Sequence, residues 1–443
     1  MTVPVDTIVA IATPPGRGGV GVVRLSGPRA FSIAEQLAGS LPPVRNAALR
    51  HFRDGAGEVI DTGLLICFAG PHSFTGEDVV EIQAHGSPVV LEMIVTATVA
   101  AGARRAGPGE FSQRAFVNDR MDLAQAEAVA DLIASASEKA ARAAHRSLEG
   151  EFSKAVDTIH QALVELRVWI EAALDFPDED VDFLADGQVA ERAGDLRLRL
   201  DNLLQRAATG RLLTDGVHIA IIGPPNAGKS SLLNALAERD AAIVTDIPGT
   251  TRDVLRETIT LAGMPVVLSD TAGLRETSDR VEFEGVRRAR QEMQTADVVF
   301  HVVDAADPSG HELSGVPERL PVIRIENKID LSGDAPGRDD RCVRVSALTG
   351  EGLGELEDLV LETLGASGSG GEGDISARQR HVDALRRALA HVEAGEAEIL
   401  ASGSGELLAE ELRMAADELG EITGRMSSDQ LLGEIFSSFC IGK

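Results

Sequence analysis

The sequence predicts a multidomain α/β protein: an N-terminal α+β domain, a helical domain in two pieces, and an inserted α/β domain. Three observations carry this reading. Residues 1–118 hold short apolar runs separated by Gly and Pro clusters. Residues 216–365 alternate apolar strand-like runs with helix-like segments. Stretches rich in Ala, Glu, Leu and Arg, with apolar residues three to four apart, lie on both sides of that segment.

The elements follow in order. At 443 residues the chain is too long for one core, and 44% apolar content suffices for several. In residues 1–118, Val20 to Leu25 alternates, and Leu64 to Phe68 and Val79 to Ile82 are apolar runs. PPGRGG, GPHSFTGED and AGPGEF punctuate them, an α+β pattern. In residues 119–215, Leu123 to Leu174 contains no proline and predicts long helices. FPDEDVDF (176–183) breaks them, and a further helix is expected from about Val189 to Ala208. After the α/β segment 216–365, SGSGGEG (367–373) reads as a flexible linker inside the last stretch, 366–443. His381 to Ile399 and Glu406 to Leu419 are helical again. Helical stretches on both sides imply one helical domain with the α/β domain inserted, which adjacent termini make tolerable.

Composition narrows the function classes. With 42 basic and 70 acidic residues, the net charge of −28 repels phosphate backbones at long range. If RNA is a substrate, a local basic patch or a basic partner must hold it. Cys67, Cys342 and Cys440 are far apart, which argues against a disulfide framework or zinc site and fits a reducing compartment. The N-terminus does not read as a signal peptide, and no run reaches the ~18 apolar residues of a membrane span. A cytoplasmic protein without membrane contact is expected.

The chemistry lies in the α/β segment. The strand-like run Val217 to Ile222 is followed at once by Gly223-Pro-Pro-Asn-Ala-Gly-Lys-Ser230, then by the helical SLLNALAE. This fits G-x-x-x-x-G-K-[ST] in the strand–loop–helix context that the motif requires. Glycines let backbone N–H groups wrap phosphates, and the helix N-terminus adds partial positive charge. Asn226, Ala227, Gly228, Lys229, Ser230 and Ser231 are the candidate phosphate-loop residues. Lys229 is expected on the β- and γ-phosphates and the Ser230 hydroxyl on Mg²⁺. Three later stretches select the base. Asp270-Thr271-Ala272-Gly273 ends an apolar run, with Asp270 able to hold Mg²⁺ through water and Gly273 able to sense the γ-phosphate. Asn327-Lys328-Ile-Asp330 follows the run Val322 to Ile325. The Asp330 carboxylate can accept from guanine N1–H and the 2-amino group, whereas adenine N1 offers a lone pair that it would repel. Ser346-Ala347, after Cys342 to Val345, fits the loop behind guanine O6. Gly249-Thr250-Thr251-Arg-Asp lies between the phosphate loop and Asp270, and Thr251 is the expected second Mg²⁺ ligand. A GTP site in a Ras-like phosphate-loop domain follows.

Hydrolysis needs an oriented water and charge neutralisation at the β–γ bridge. Ras-type enzymes place glutamine after D-x-x-G; Leu274 stands there and can do neither job. Glu276, Glu282 and Glu284 are the nearby alternatives, each also readable as a solvated surface charge. Asn226 could hold a monovalent cation such as K⁺, or could only shape the loop.

Beyond these motifs the chain resembles the MnmE (TrmE) family of tRNA uridine-modifying GTPases. The resemblance runs end to end: ATPPGRGGVGVVRLSG, GPHSFTGEDVVEIQAHG, PGEFSQRAFVNDRMDLAQAEAVADLI, the nucleotide motifs and the terminal FCIGK. It implies an N-terminal folate-binding-like domain that mediates homodimerisation, a discontinuous helical domain, and an inserted G domain. It implies a 5-formyl- or 5,10-methylene-tetrahydrofolate as one-carbon source. It also implies that, with the flavoprotein MnmG, aminomethyl or carboxymethylaminomethyl groups are installed at C5 of the wobble uridine of certain tRNAs. The resemblance further implies that paired G domains hydrolyse GTP faster when K⁺ is bound. By motif, the resemblance places Asn226, Thr245, Ile247 and Thr250 on K⁺, sets Asp246 beside them, and selects Glu282 as the water-orienting glutamate. For folate it points to Arg24, Glu81, Arg120 and Lys443, with Arg120 where lysine is usual. Pro224 replaces the usual arginine of the phosphate loop. Cys440 matches a near-terminal cysteine that serves the modification reaction; the alternative is a small buried hydrophobe. Trp169 and the helical Phe residues read as core. The competing reading is a ribosome-assembly or stress GTPase switch, which leaves the folate-like segment and FCIGK without a role.

Overall fold

The computed structural model describes residues 6–175, 188–239, 256–261, 263–270, 296–307, 316–317, 320–365, 375–426 and 428–442. The chain divides into two compact units, residues 1–130 with 417–443, and residues 131–416.

The first unit is built on a six-stranded sheet. Its elements are β1 (Ile8–Ile11), β2 (Gly18–Ser26), α1 (Ala30–Ala38), β3 (Ala48–Arg53), β4 (Val59–Phe68), β5 (Val79–Gly86), α2 (Pro88–Ala100), β6 (Arg104–Arg105) and α3 (Glu110–Val117). The strand order is β3-β4-β5-β2-β1-β6, antiparallel except for the β1–β6 pair. Period-two alternation decides the faces. Val23 and Leu25 of β2 bury against Ile33, Leu37, Leu91 and Ile94 of α1 and α2. Ile8, Ala10, Phe74, Ala106 and Phe111 form a smaller cluster. The sequence reading missed α1 and α2. PVVLEMIVTATVA carries many β-branched residues; proline at its first turn and burial of one face on the sheet override their low helix propensity. It also missed the helix Asp429–Ser437, which Ser428 caps by accepting from the Leu431 N–H at 3.2 Å. Leu432, Phe436 and Phe439 pack there against Leu123 and Ala126. The chain then runs along Pro108, which bridges Ile441. Residues Leu123–Ala134 form α4.

In the second unit, α5 (Glu138–Leu148), α6 (Glu151–Asp175) and α7 (Gln188–Asp215) precede the α/β elements. The expected helix over 189–208 thus extends to Asp215. Trp169, expected in the core, is half-buried, with the Arg192 guanidinium 5.2 Å from its ring centroid. The α/β part comprises β7 (Val217–Ile222), α8 (Lys229–Arg239), β8 (Arg256–Leu261), β9 (Met264–Asp270), β10 (Val298–Asp304), β11 (Val322–Asn327), α9 (Ile329–Ser332), β12 (Gly337–Asp339), β13 (Cys342–Val345) and α10 (Leu353–Thr363). The order β12-β13-β11-β10-β7-β9-β8 is parallel except for the edge strands β8 and β12, neither foreseen. The chain leaves β7 toward β9 on one side and returns at β10 on the other. Such a switch point opens a crevice beyond the carboxyl ends of the strands. Ala140, Ala143, Leu212 and Leu213 of α5 and α7 share one apolar core with β7, β9 and β10. Helix α11 (Gln379–Ser402) and the helix Gly405–Thr423 follow. Among the described residues no helix is long and apolar enough to cross a membrane.

Candidate functional site

The crevice beyond β7 is lined by loop backbone. Gly223, at φ 153°, leaves β7 so close to β10 that a Cβ would lie 2.1 Å from the Val302 carbonyl oxygen. Gly228, at φ 90°, would put a Cβ 2.2 Å from Asn327 Nδ2. Any side chain at either position collides with fixed polar groups, so the motif's glycines are steric requirements here. Exposed Asn226 occupies the left-handed region at φ 64°. Lys229 opens α8 and is 8% exposed. Its Nζ donates to the Gly223 and Pro224 carbonyls at 2.9 and 2.8 Å, so the ammonium is held over the loop. Ser230 and Ser231 follow, both exposed.

Three more strand ends converge. Asp304, Asn327 and Val345 are register partners on β10, β11 and β13. Asn327 is 1% exposed; its Nδ2 donates to the Ala227 carbonyl at 3.0 Å, and its Oδ1 accepts from the Ala347 N–H at 3.0 Å. One buried amide thus ties the phosphate loop to the 346–347 loop. Ser346 is fully buried; its Oγ donates to Asp330 Oδ1 at 2.6 Å and accepts from the Thr349 N–H at 3.1 Å. That hydroxyl orients the exposed Asp330 carboxylate. Lys328, left-handed at φ 69°, sends its Nζ to Asp304 Oδ2 at 2.8 Å. The hydrogen bond from Lys328 holds the Asp304 carboxyl below its ordinary value, with help from the Ala306 N–H. The structure therefore gathers Asn226 to Ser231, Asn327, Lys328, Asp330, Ser346 and Ala347 around one crevice. Asp270 ends β9 beside Ile221 of β7. Thr245, Asp246, Ile247, Gly249, Thr250, Thr251, Thr271, Ala272, Gly273, Glu276, Glu282, Glu284 and Lys443 lie outside the described residues.

A second charged cluster lies in the first unit. Arg24 and Glu81 are register partners on β2 and β5. Arg24 donates twice to Glu81 Oε1, at 3.0 and 2.8 Å. Its guanidinium lies 5.4 Å from the Phe74 centroid and 5.9 Å from that of Phe111. Arg114 is 2% exposed and donates to Asp6 at 2.6 Å and to Glu77 at 3.1 Å. Arg120 is exposed, its stem beside Gly76. Cys440 is exposed, which removes the reading of it as a small buried hydrophobe. Its carbonyl accepts from the Gly109 N–H at 3.4 Å.

Sequence reasoning missed Asp304, Phe74, Phe111 and Arg114. Asp304 left a signal, since it closes a buried, mostly apolar strand beside a motif lysine that needs an anion. The two phenylalanines left none, because only the folded sheet brings positions 74 and 111 to Arg24.

The family model for the MnmE helical domain matches residues 123–440, and that for the GTP-binding protein TrmE N-terminus matches residues 7–120. Over 451 residues the chain is 53% identical to the tRNA modification GTPase MnmE of Stutzerimonas stutzeri (strain A1501), covering 99% of each chain. A crystal structure of Aquifex aeolicus Era bound to GDP.AlF4- is 27% identical over 41% of this chain and 66% of its own, at a TM-score of 0.27. The G domain of the FeoB iron transporter of T. maritima is 28% identical over 33% of this chain and 98% of its own, at 0.24.

Proposed function

The chain belongs to the MnmE (TrmE) family of tRNA modification GTPases, and on that premise we propose how it works and on what. It is a GTP hydrolase. Working with the flavoprotein MnmG in a heterotetramer or larger assembly, it installs aminomethyl or carboxymethylaminomethyl groups at C5 of the wobble uridine of certain tRNAs. It acts as a homodimer in the cytoplasm, with an N-terminal domain (1–118), a helical domain (119–215 and 366–443) and a G domain (216–365). The carrying observation is the pairing of Lys229 over the phosphate loop with an Asp330 carboxylate set by Ser346, joined through Asn327.

The residues divide the work. The Lys229 ammonium exchanges its two loop carbonyls for β- and γ-phosphate oxygens. Loop N–H groups and the start of α8 take the remaining phosphate charge. Asp330 accepts from the guanine edge, and Ala347 backs O6. Ser230 and Thr251 would hold Mg²⁺, with Asp270 reaching it through water. Asn226, Thr245, Ile247 and Thr250 would hold K⁺; the exposed, left-handed Asn226 suits that role. Bound cations would supply positive charge at the β–γ bridge. Glu282 orients the attacking water. In the first unit, Arg24 and Glu81, with Arg120 and Lys443, would hold the tetrahydrofolate. A carboxylate and a guanidinium flanked by two phenylalanines suit a flat, hydrogen-bonding ring. Exposed Cys440 is free to take part in the modification.

The deciding experiment assays tRNA modification with purified chain, MnmG, folate and GTP. Modified uridine appearing only with all components supports the proposal. Unchanged wobble uridines in tRNA from a deletion strain would favour a ribosome-assembly switch instead. Equal GTP turnover in KCl and NaCl would sink the K⁺ assignment.

A further inference from the structure

We propose that Asp304 is a positioning residue of the guanine pocket: its carboxylate anchors the Lys328 ammonium so that the lysine stem lies along one face of the bound base. The inference rests on the guanine-pocket reading above and adds a residue to it.

Four observations carry the inference. Asp304 closes β10 opposite Asn327 in register, so its carboxylate stands at the mouth of the crevice. Its two oxygens have separate tasks: Oδ1 accepts from the Ala306 N–H at 3.0 Å, and Oδ2 accepts from Lys328 Nζ at 2.8 Å. Lys328 adopts a left-handed backbone, uncommon outside glycine. The Ala305 N–H to Asn327 carbonyl bond, 2.8 Å long, secures the peptide before it. Finally, Lys328 Cε would stand 3.7 Å from a Cβ at Gly228. The stem therefore runs from β11 across the phosphate loop toward β10. Asp330, two residues on, is the group that meets the guanine edge. A base seated there has the lysine methylenes against its ring, and apolar contact with a flat ring needs a fixed stem. Without Asp304, a four-carbon chain with three donors would sample many rotamers. The competing view is an ordinary half-exposed ion pair, 28% and 31% exposed, with no effect on ligand.

The test measures release of a fluorescent GDP from the full chain by stopped flow. Asp304→Asn keeps an oxygen for the Ala306 N–H and removes the charge. Release should quicken about threefold to fivefold, the scale of one partly exposed ion pair. KM for GTP should rise while kcat at saturation stays within about twofold, because the contact is equal in ground and transition states. Lys328→Met should quicken release as well. The double variant should be no worse than Lys328→Met alone, since Asp304 acts through that lysine. Unchanged release in Asp304→Asn, or additive losses in the double variant, overturns the proposal. Melting temperatures measured without nucleotide must match the parent's; a drop as large as the binding loss assigns Asp304 a folding role and also overturns it. Asp330→Asn separates this inference from its premise. If that variant does not shift preference from GDP toward XDP, the pocket reading fails; if it does shift, and Asp304→Asn changes nothing, only the Asp304 inference falls.

Discussion

The crevice beyond β7 and the Arg24–Glu81 cluster are built by opposite means. The first is made largely of backbone. Two glycines shape the loop, its carbonyls hold Lys229, a buried amide ties it to the 346–347 loop, and the Ser346 hydroxyl there orients Asp330. The second is made of side chains from separate segments: Arg24 and Glu81 from neighbouring strands, Phe74 from a loop, Phe111 from the start of α3. Backbone-built sites need particular residues at fixed short spacings, because only glycine admits the close approach and only certain lengths close the turn. Side-chain sites need only that the fold bring the right groups together, so their sequence spacing is arbitrary. The difference has energetic content too. Backbone donors cost no side-chain entropy to aim, whereas Arg24 must be held by both a carboxylate and two rings.

Three variants test this contrast. The largest effect belongs to Lys229→Ala, which should cut GTP turnover about a hundredfold or more, as loss of one preorganised donor does. Tetrahydrofolate binding, followed by calorimetry, should not move. Coupled loss of both would mean that the two sites are not separate. Next is Asn327→Ala. It strips the shared partner from the Ala227 carbonyl and the Ala347 N–H inside a buried site, at about 1–3 kcal/mol of stability. Thermal melting reads that loss, and GTP KM should rise with it. An unchanged melting temperature would show that the loops hold without their amide tie. Third, Glu81→Gln should weaken tetrahydrofolate binding about tenfold, by replacing a charged acceptor of Arg24 with a neutral one. GTP turnover should stay at the parent level.

The contrast also explains what was legible beforehand. β7, β11 and β13 were foreseen, as was each described member of the nucleotide motifs, because each of those strands runs directly into a motif of fixed spacing; β10, buried along almost its whole length, escaped notice because no motif follows it. The edge strand β8 and the three-residue β12 escaped notice, since neither carries a buried apolar run. Helix α2 was not assigned, because its β-branched composition weakens the helical signal and only burial on the sheet overrides it. Arg24 and Glu81 came only from resemblance, and Phe74 and Phe111 from nothing before the fold. Asp304 sits between these cases: its neighbour Lys328 belongs to a motif, yet the ion pair spans 24 residues.

The smallest effect separates the two units by pH. Burial alone would raise the Asp6 carboxyl, but hydrogen bonds from Arg104 and Arg114 outweigh it and hold Asp6 below its ordinary 3.8. Glu110, buried beside Arg104 and the Gly107 N–H, is likewise held below 4.5. A depressed carboxyl gives stability that is complete above its unfolded pKa and is lost as pH falls through the folded one. The first unit should therefore weaken on acidification below about pH 4.5. The second unit holds shifts of both signs: the hydrogen bond from Lys328 depresses Asp304, whereas burial raises Asp215 above 3.8, against the pull of Arg211, Arg378 and His218. Its folded form holds the proton more tightly, so its contribution is fullest below 3.8 and is lost as pH rises through the folded value. Trp169 is the chain's single tryptophan and lies in the second unit, so its fluorescence during urea unfolding reports that unit alone. Hydrogen exchange at residues 104–118, corrected for the intrinsic pH dependence, reports the first. Between pH 6 and 3, protection over 104–118 should fall faster than the Trp169 midpoint, and Glu110→Gln should flatten the acid slope of the first unit only. Parallel decline of both probes in the parent chain would place the acid response elsewhere than in the arginine-bound carboxylates.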